Sequence, residues 1–191
     1  MAEANADAID PVSAFFREEQ PALVAAGAAG RVLDLACGRG RHALAAAALG
    51  LEVLAVDRNA GPLAELAAAA RVLPGRIETL AVDLERDEPP ELPGAPFSAI
   101  LVFRYLHRPL APAIASWLAP GGLLLYETFT VAQRTFGWGP TRDAFLLEPG
   151  ELPRLFPGLT VERFEEGPTA EPRPAFTARL RARRPPADHG R

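Results

Sequence analysis

Short apolar runs recur along the chain, and alanine-rich stretches with helical spacing separate them. Strands are predicted at 31–36, 51–56, 76–82, 97–103 and 123–128, and helices at 40–49, 62–72 and 109–118. Segment 97–103 is apolar at nearly every position, which is typical of a central parallel strand covered on both faces. Strands that alternate with helices in this way predict a parallel sheet with right-handed crossovers.

The alternation changes after residue 128. Segment 131–147 has no clean period, 148–156 indicates a short helix, and 159–164 and 175–183 indicate two further strands joined by a loop rich in glycine and proline. The last of these strands should run antiparallel to the others. We therefore expect an α/β protein, a Rossmann-like three-layer sandwich with a mostly parallel seven-stranded sheet and an antiparallel C-terminal strand.

The length of 191 residues predicts one domain with its own core, spanning residues 1–184. Residues 1–30 form its N-terminal helical segment, in which Pro21 is expected to open a second helix. Segment 129–157 is a candidate lid because it contains several aromatic residues and no regular pattern. Residues 185–191 are expected to be a disordered tail.

The charge of the chain argues against a nucleic acid as partner. The net charge is −4 and the isoelectric point is near 5.5. Arginine does concentrate in 179–184, but alternating arginines there predict a half-exposed edge strand whose charges prevent pairing with another chain. Methylation of RNA or protein remains an alternative that depends on this strand.

Other features of the composition restrict the class further. All twenty basic residues are arginine, which excludes a phosphate-binding or Schiff-base lysine. One cysteine excludes an internal disulfide and a cysteine-based metal site, so no metal is expected. No apolar run is long enough to span a membrane, and the acidic first ten residues do not resemble a secretory signal. These features predict a cytoplasmic protein with no membrane partner.

A glycine turn follows the first predicted strand. Asp34 lies near the end of that strand, and Gly38 and Gly40 form a Gly-x-Gly turn before the helix at 40–49. Seventeen residues after Gly40, the second strand is followed by Asp57. A strand, a glycine turn, a helix and a second strand that ends in an acid form a βαβ nucleotide-binding unit, in which the acid can hold ribose hydroxyls.

The position of Asp34 distinguishes between two cofactors. The pyrophosphate of NAD would lie against the N-terminus of the helix, where a nearby carboxylate repels it. The ammonium group of an amino-acid moiety would be attracted by the same carboxylate. The pattern therefore favours S-adenosyl-L-methionine, and an NAD-dependent oxidoreductase is the alternative.

The order of these motifs resembles that of class I S-adenosylmethionine-dependent methyltransferases. The similar segments are Asp-Leu-Ala-Cys-Gly-Arg-Gly at 34–40, Val-Asp at 56–57, Val-Asp-Leu at 82–84 and Pro-Gly-Gly-Leu-Leu-Leu at 120–125. The likeness covers about residues 31–128. Within this class, the stretch from 126–129 through 145–152 resembles small bacterial enzymes of the tellurite-resistance and thiopurine methyltransferase type.

The resemblance implies a cofactor site at the carboxyl ends of the strands. Asp34 and Gly38 would lie along the methionine part of S-adenosyl-L-methionine, Asp57 would bind the ribose hydroxyls, and Asp83 would accept from the adenine amino group. The predicted cofactor-binding residues are Asp34, Ala36, Gly38, Gly40, Asp57, Arg58, Asp83, Leu84 and Phe103.

The segment after the fourth strand faces the expected position of the methyl acceptor. Tyr105 and His107 could hold or deprotonate the acceptor and are the predicted catalytic residues, although His107 is equally well explained as a loop histidine or helix cap. Arg104 could bind an anionic acceptor, and the segment lacks the Asn/Asp-Pro-Pro-Tyr/Phe motif of amino-group methyltransferases. The predicted substrate-binding residues are Arg104, Glu127, Phe129 and Trp138.

The expected reaction is methyl transfer to a small-molecule acceptor, with a sulfur or oxygen nucleophile preferred. A thiol acceptor needs no dedicated base, so the absence of an obvious catalytic dyad does not count against an enzyme. A domain that binds the cofactor without catalysis is the alternative from another class. His42 and Cys37 are interpreted as structural residues. The sequence sets neither the acceptor nor the oligomeric state.

Overall fold

A single seven-stranded sheet runs through the computed structural model of the chain, which describes residues 11–170 and 173–187. The strands are β1 (Val32–Leu35), β2 (Glu52–Asp57), β3 (Arg76–Ala81), β4 (Phe97–Phe103), β5 (Leu118–Phe129), β6 (Thr160–Thr169) and β7 (Ala175–Arg183). Their order is β3-β2-β1-β4-β5-β7-β6, and β7 alone runs in the direction opposite to the other six strands. The predicted sheet with its antiparallel C-terminal strand is confirmed.

Six short α-helices connect or cover the strands. They are α1 (Ala14–Glu18), α2 (Gln20–Gly27), α3 (Arg41–Ala48), α4 (Ala60–Ala69), α5 (Ala111–Trp117) and α6 (Glu151–Arg154). Pro21 lies in the first turn of α2, as predicted, where its missing N–H costs no hydrogen bond. Within the described residues, none of the helices is long and apolar enough to cross a membrane. Residues 1–10, which were predicted not to be a secretory signal, lie outside the described residues. The same holds for residues 188–191 of the predicted tail.

The core forms on both faces of the sheet. Every residue of β4 is buried, as its unbroken apolar sequence predicts for a strand with β1 on one side and β5 on the other. Phe15 and Phe16 of α1 and Leu23 of α2 bury their side chains on one face, so the N-terminal segment is part of the domain core. Leu110 and Ile114 pack on the opposite face.

The fifth strand differs from its prediction. It begins at Leu118, directly after α5, and not at residue 123. Phe97 of β4 pairs with Leu118 and Ala99 pairs with Leu123, so residues 119–122 form an irregular insertion in the strand. Gly121 has a φ of +77° in this insertion, which only glycine adopts readily. The Pro-Gly-Gly sequence was expected to lie in a loop before the strand. It lies within β5 and makes the strand irregular there.

The arginine-rich strand β7 is not an edge strand, and that prediction is wrong. It lies between β5 and β6, and β6 forms the edge. Alanine and leucine of β7 are buried, while Arg179, Arg181 and Arg183 on its other face form ion pairs with Glu162 and Glu165 of β6. Arginines do alternate with buried residues along β7, but they form ion pairs within the chain and do not protect an exposed edge.

Two neighbouring glutamates attach the N-terminal helices to strands β6 and β7. The buried Glu19 accepts from Arg163 Nη1 and from Arg181 Nη1, each at 2.9 Å. The exposed Glu18 accepts from Arg163 Nη2 at 2.8 Å. Because Glu19 is buried and both of its oxygens are bonded, it is the anchor of this contact.

Replacement of Glu19 by alanine is expected to lower the free energy of unfolding by about 1–2 kcal/mol, because two charge-assisted hydrogen bonds are lost beside half-exposed arginines. Glu18→Ala is the matched control, since this exposed residue shares the partner Arg163, and its effect should stay within about 0.5 kcal/mol. Urea unfolding of the three proteins measures both values. Equal losses in the two variants would contradict the assignment of Glu19 as the anchor.

Candidate functional site

The loop between β1 and α3 has an unusual backbone. Ala36, Gly38 and Gly40 all have positive φ, at +54°, +58° and +76°. For alanine this conformation is uncommon and strained, so the surrounding structure must hold it. A Cβ on Gly40 would lie 2.4 Å from Leu66 Cδ2, so any side chain at this position requires the buried Leu66 of α4 to move. The glycines predicted from the motif are therefore required by the backbone.

Asp57, at the end of β2, fixes this loop from the side. Its Oδ2 accepts from the N–H of Gly38, and its Oδ1 accepts from the N–H and the side-chain amide of Asn59, each at 2.9 Å. Asp57 is 8% exposed. One carboxylate thus joins the ends of β1 and β2 and still faces the cavity described next.

A cavity of about 230 Å³ opens at the carboxyl ends of β1 to β4. We call it the strand-end cavity. It contains five of the nine predicted cofactor-binding residues: Ala36, Asp57, Arg58, Asp83 and Leu84. Asp83 is exposed and its Oδ1 caps the N–H of Glu85 at 3.0 Å. This is the position where open α/β sheets bind ligands.

Asp34 lies behind the strand-end cavity and does not line it. Its side chain is buried, and Oδ2 accepts from the N–H of Ala43 in the first turn of α3 at 2.9 Å. Burial raises the pKa of Asp34 from 3.8 to about 7, although this hydrogen bond and the neighbouring Arg41 act in the opposite direction. The Asp34 side chain therefore caps the first turn of α3 from beneath the loop, and the fold favours its protonated form.

Stability should fall with pH because of Asp34. A carboxyl group whose folded pKa is raised stabilises the protein while it is protonated, and this contribution is lost as the pH rises from about 4 through 7. Asp34→Asn keeps an oxygen for the N–H of Ala43 without the charge. The variant should match the parent near pH 4 and exceed it by about 1 kcal/mol or more above pH 7.

Urea unfolding of both proteins between pH 4 and 8 measures this difference. The difference in stability between the variant and the parent is the quantity to follow. Buried His42 has a lowered pKa, so it makes both proteins more stable as the pH rises, opposite to the effect of Asp34. This contribution is the same in both proteins and cancels in the difference. A difference that stays constant with pH would contradict the assignment.

Tyr105 brings an unmatched polar group into the strand-end cavity. Its hydroxyl is buried and has no hydrogen-bond partner among the described residues. Burial raises the pKa of Tyr105, and the nearby Glu85 and Asp83 raise it further, so the phenol stays protonated at neutral pH. The group can donate a hydrogen bond to a ligand. As a phenol it is poorly suited to remove a proton.

A second, narrower opening adjoins the strand-end cavity. This arginine cleft is lined by residues of five separate parts of the chain, among them Ser13, Arg41, Phe103, Arg104, Glu127 and Arg173. Arg104 lines both openings. An outer cavity of about 300 Å³ shares Glu127 and Thr169 with the cleft and is also lined by Phe15 and Pro168. The predicted substrate-binding residues Arg104, Glu127 and Phe129 therefore come together.

Glu127 is the acid of the arginine cleft. It is 7% exposed, and its Oε2 has no hydrogen-bond partner in the described part of the chain. Burial raises its pKa, while a hydrogen bond with the side chain of Ser13 and the nearby Arg179 and Arg104 lower it. A buried oxygen without a partner costs free energy unless a ligand or water supplies a donor.

Phe103 and His42 form the floor of the cleft. Phe103 lies here and not in the strand-end cavity, and its ring stacks on His42 with centroids 3.9 Å apart. His42 is buried and accepts from the N–H of Ser13 at 3.4 Å, in agreement with its lowered pKa. These contacts agree with a structural role for His42. Burial also raises the pKa of the Cys37 thiol, which agrees with a packing role.

The predicted catalytic residue His107 and the predicted substrate-binding residue Trp138 line none of these openings, although Trp138 lies at the rim of the arginine cleft. His107 is half-buried and lines none of the three openings described above. Trp138 donates from Nε1 to the carbonyl of Pro174 at 3.0 Å and packs edge-to-face on Phe129. Within segment 129–157, the candidate lid, Thr130 and Leu147 form a parallel bridge, and the N–H of Thr130 donates to the carbonyl of Phe176 in β7 at 3.1 Å.

The sequence did not single out several residues of this region. Asn59 and Glu85 follow predicted strand ends and could have been found by the same topological rule. Ser13, Thr169 and Arg173 line the cleft from segments far apart in the sequence, and nothing in their local pattern indicates a site. Only the position of α1 and of the β6–β7 connection over the sheet brings them there.

Residues 32–122 match the family model of a methyltransferase domain. This segment contains the glycine loop, Asp57, Asp83 and all of β1 to β4. No curated protein matches the chain with statistical significance.

Solved structures share the fold over most of the chain. An S-adenosylmethionine-dependent methyltransferase from Mesorhizobium loti is 24% identical with a TM-score of 0.63, covering 87% of this chain and 97% of that one. The N-methyltransferase NodS from Bradyrhizobium japonicum WM9, in complex with S-adenosyl-L-homocysteine, is 19% identical with a TM-score of 0.61, covering 91% and 89%. TehB from Haemophilus influenzae is 18% identical with a TM-score of 0.65, covering 86% and 62%.

Residues 32–122, just under half of the chain, match the methyltransferase domain family. The solved structures show that the fold is the one found in S-adenosylmethionine-dependent methyltransferases. The resemblance of the motifs in 31–128 is thereby confirmed.

Proposed function

We propose that the protein transfers a methyl group from S-adenosyl-L-methionine to a small-molecule acceptor with a sulfur or oxygen nucleophile. The observation that supports this most is the separation of the strand-end cavity from the arginine cleft, with Arg104 lining both. Two adjoining openings suit two reactants that must meet. The cofactor supplies the activated methyl group, so the protein mainly orients the reactants and excludes water.

The strand-end cavity fits the cofactor. Asp57 and Asp83 supply acceptor oxygens for ribose hydroxyls and an adenine amino group, and Leu84 supplies an apolar wall. The unmatched hydroxyl of Tyr105 can meet a polar group of a ligand in the same cavity. Asp34 influences the site through the loop, and a cationic amino-acid moiety near it would favour its ionised form.

The acceptor is expected in the arginine cleft and the outer cavity. Segment 129–157 contributes Phe129 and, at the rim, Trp138, which supports its role as a cover over the acceptor. Tyr105 lines the strand-end cavity and not the cleft, so its protonated hydroxyl is proposed to hold the acceptor only where the acceptor extends toward the cofactor. His107 keeps its proposed role only if the acceptor reaches beyond the cleft.

Calorimetry with S-adenosylmethionine and S-adenosylhomocysteine tests the cofactor site, and both should bind. A screen of thiols, phenols, amines, selenite and tellurite then measures formation of S-adenosylhomocysteine, with turnover expected among thiols or phenols. Turnover of amines alone would contradict the preference for sulfur and oxygen. Binding without turnover of any acceptor would favour a non-catalytic domain.

Two further measurements address the remaining alternatives. Fluorescence titration with NADH should show no saturable binding. Saturable binding of this dinucleotide would favour an oxidoreductase. Purified protein should carry no RNA, because the arginines of β7 form ion pairs with glutamates of β6.

A further inference from the structure

We propose that the methyl acceptor is a hydroxyl compound, whose hydroxyl group is held between Glu127 and Arg179 in the wall of the outer cavity. Glu127 takes the hydroxyl proton during methyl transfer, and Arg179 donates a hydrogen bond to the oxygen. This inference rests on the methyl transfer proposed above. It adds the chemical class of the acceptor and a role for each of the two residues.

Glu127 and Arg179 are direct neighbours on two antiparallel strands. They pair in register across β5 and β7, so their side chains extend from the same face of the sheet. Both residues line the outer cavity, together with Phe15 and Pro168. A carboxyl group and a guanidinium group therefore lie side by side at a cavity of about 300 Å³.

Each of these two side chains has one unpaired polar atom. Oε2 of Glu127 and Nε of Arg179 are both buried, and neither has a hydrogen-bond partner among the described residues. The rest of each group is engaged, since the side chain of Ser13 bonds to the carboxyl group of Glu127 and Nη2 of Arg179 lies 3.4 Å from Glu165. A buried acceptor and a buried donor that stay unpaired each cost free energy, which favours a ligand that satisfies both.

A hydroxyl group matches this pair of atoms. It donates one hydrogen bond and accepts another, so it can donate to Oε2 of Glu127 and accept from Nε–H of Arg179 at the same time. A thiol is weak both as a donor and as an acceptor, and an ammonium group accepts no hydrogen bond. The two unpaired atoms therefore favour oxygen over sulfur and nitrogen as the nucleophile.

The position of Glu127 suits a reaction with a cofactor in the strand-end cavity. Its carbonyl accepts from the N–H of Arg104 at 2.8 Å, and Arg104 lines that cavity. The arginine cleft, which shares residues with both cavities, holds about 10 Å³, the room of one water-sized group. The carbon skeleton of the acceptor stays in the outer cavity, and only the reacting oxygen and the methyl group meet at the cleft.

The acceptor loses one proton for each methyl group that it gains. A bond forms between the hydroxyl oxygen and the methyl carbon while the bond from that carbon to the sulfonium sulfur breaks. The electron pair of the broken bond stays on sulfur, and the hydroxyl proton passes to Oε2 of Glu127. Burial raises the pKa of Glu127, which makes its carboxylate a stronger base than an exposed one.

Ligand-observed NMR on the full chain, saturated with S-adenosylhomocysteine, tests recognition of the hydroxyl group. Phenol is compared with anisole, which lacks the donor, and benzyl alcohol is compared with benzyl mercaptan, which has sulfur in place of oxygen. Phenol and benzyl alcohol should each bind about fivefold or more tightly than the compound paired with it. Arg179→Leu should abolish the preference for benzyl alcohol over benzyl mercaptan. Arg183→Leu, on the same face of β7 but outside the cavity, should preserve it.

Turnover tests the role of Glu127 as the base. With phenol as acceptor, Glu127→Gln should lower kcat about 100-fold or more and change KM little, because the amide still accepts a hydrogen bond but cannot take the proton. 4-Nitrophenol is largely ionised at pH 8 and needs no base, so Glu127→Gln should keep its activity with this acceptor. Glu162→Gln is the control and should behave like the parent with both phenols, since Glu162 lines none of the three openings.

The outcomes separate the two proposals. Phenol that binds no more tightly than anisole, benzyl mercaptan that binds as tightly as benzyl alcohol, or turnover of thiols without turnover of phenols overturns the hydroxyl acceptor while S-adenosylhomocysteine still binds. Equal losses of kcat with phenol and 4-nitrophenol in Glu127→Gln overturn the role of Glu127 as the base. Failure of S-adenosylhomocysteine itself to bind overturns the methyl transfer. The comparisons of binding within the parent chain need no variant, so they hold even if a variant does not fold.

Discussion

Replacement of Asp57 by alanine is expected to weaken the binding of S-adenosylhomocysteine roughly 30- to 150-fold, or about 2–3 kcal/mol. The variant removes the carboxylate proposed to hold the ribose hydroxyls. It also leaves the N–H of Gly38 and the amide of Asn59 without their acceptor. Both losses act on the same cavity, which is why the effect should exceed that of a single hydrogen bond.

Isothermal titration calorimetry measures the affinity, and Asp87→Ala is the matched control. Asp87 is an exposed aspartate in the connection between β3 and β4 and does not line the strand-end cavity. Its replacement should leave the dissociation constant unchanged. Urea unfolding without ligand isolates the loop contribution. Unchanged affinity in Asp57→Ala would show that the ribose lies elsewhere.

Gly40→Ala should lower the free energy of unfolding by about 3 kcal/mol. The φ of +76° costs alanine about 1–2 kcal/mol, and the new Cβ would lie 2.4 Å from the side chain of Leu66 in the core. Leu66 must therefore move within the core, or the loop must move away from it. The change should also weaken the binding of S-adenosylhomocysteine, because Ala36 of the same loop lines the strand-end cavity.

Gly50→Ala provides a control at the other end of α3. Gly50 has a φ of +85°, but a Cβ there would meet no atom within 4 Å. The variant should lose only about 1 kcal/mol and bind S-adenosylhomocysteine like the parent. Urea unfolding and calorimetry measure both quantities. Equal losses in the two variants would mean that Leu66 adapts without cost and that close packing of α4 does not explain Gly40.

The sequence was most informative where burial alone determines the local pattern. β4 has the predicted bounds because a strand covered on both faces must be apolar throughout. The convergence of Asp57, Asp83 and Ala36 followed from a rule of topology, since parallel strands end at one edge. The same rule could not show that Asp34 faces the first turn of α3, because one carboxylate at a strand end has several partners within reach.

The acceptor side was predictable only in part. Glu127 and Phe129 follow from the position of β5, but Ser13, Thr169 and Arg173 reach the cleft through packing of distant segments. The misplacement of β7 has a similar cause. Alternating arginines fit an exposed edge as well as an interior strand with ion pairs on one face, and strand order depends on contacts that no local pattern records.

The contact of Glu18 and Glu19 with Arg163 and Arg181 joins positions 144 to 162 residues apart in the sequence. On the ribosome, these hydrogen bonds can therefore form only after β6 and β7 have been synthesised. Strands β1 to β4 depend on no such late contact and can pair earlier. The strands that carry the strand-end cavity can thus assemble before α1 is joined to the last two strands.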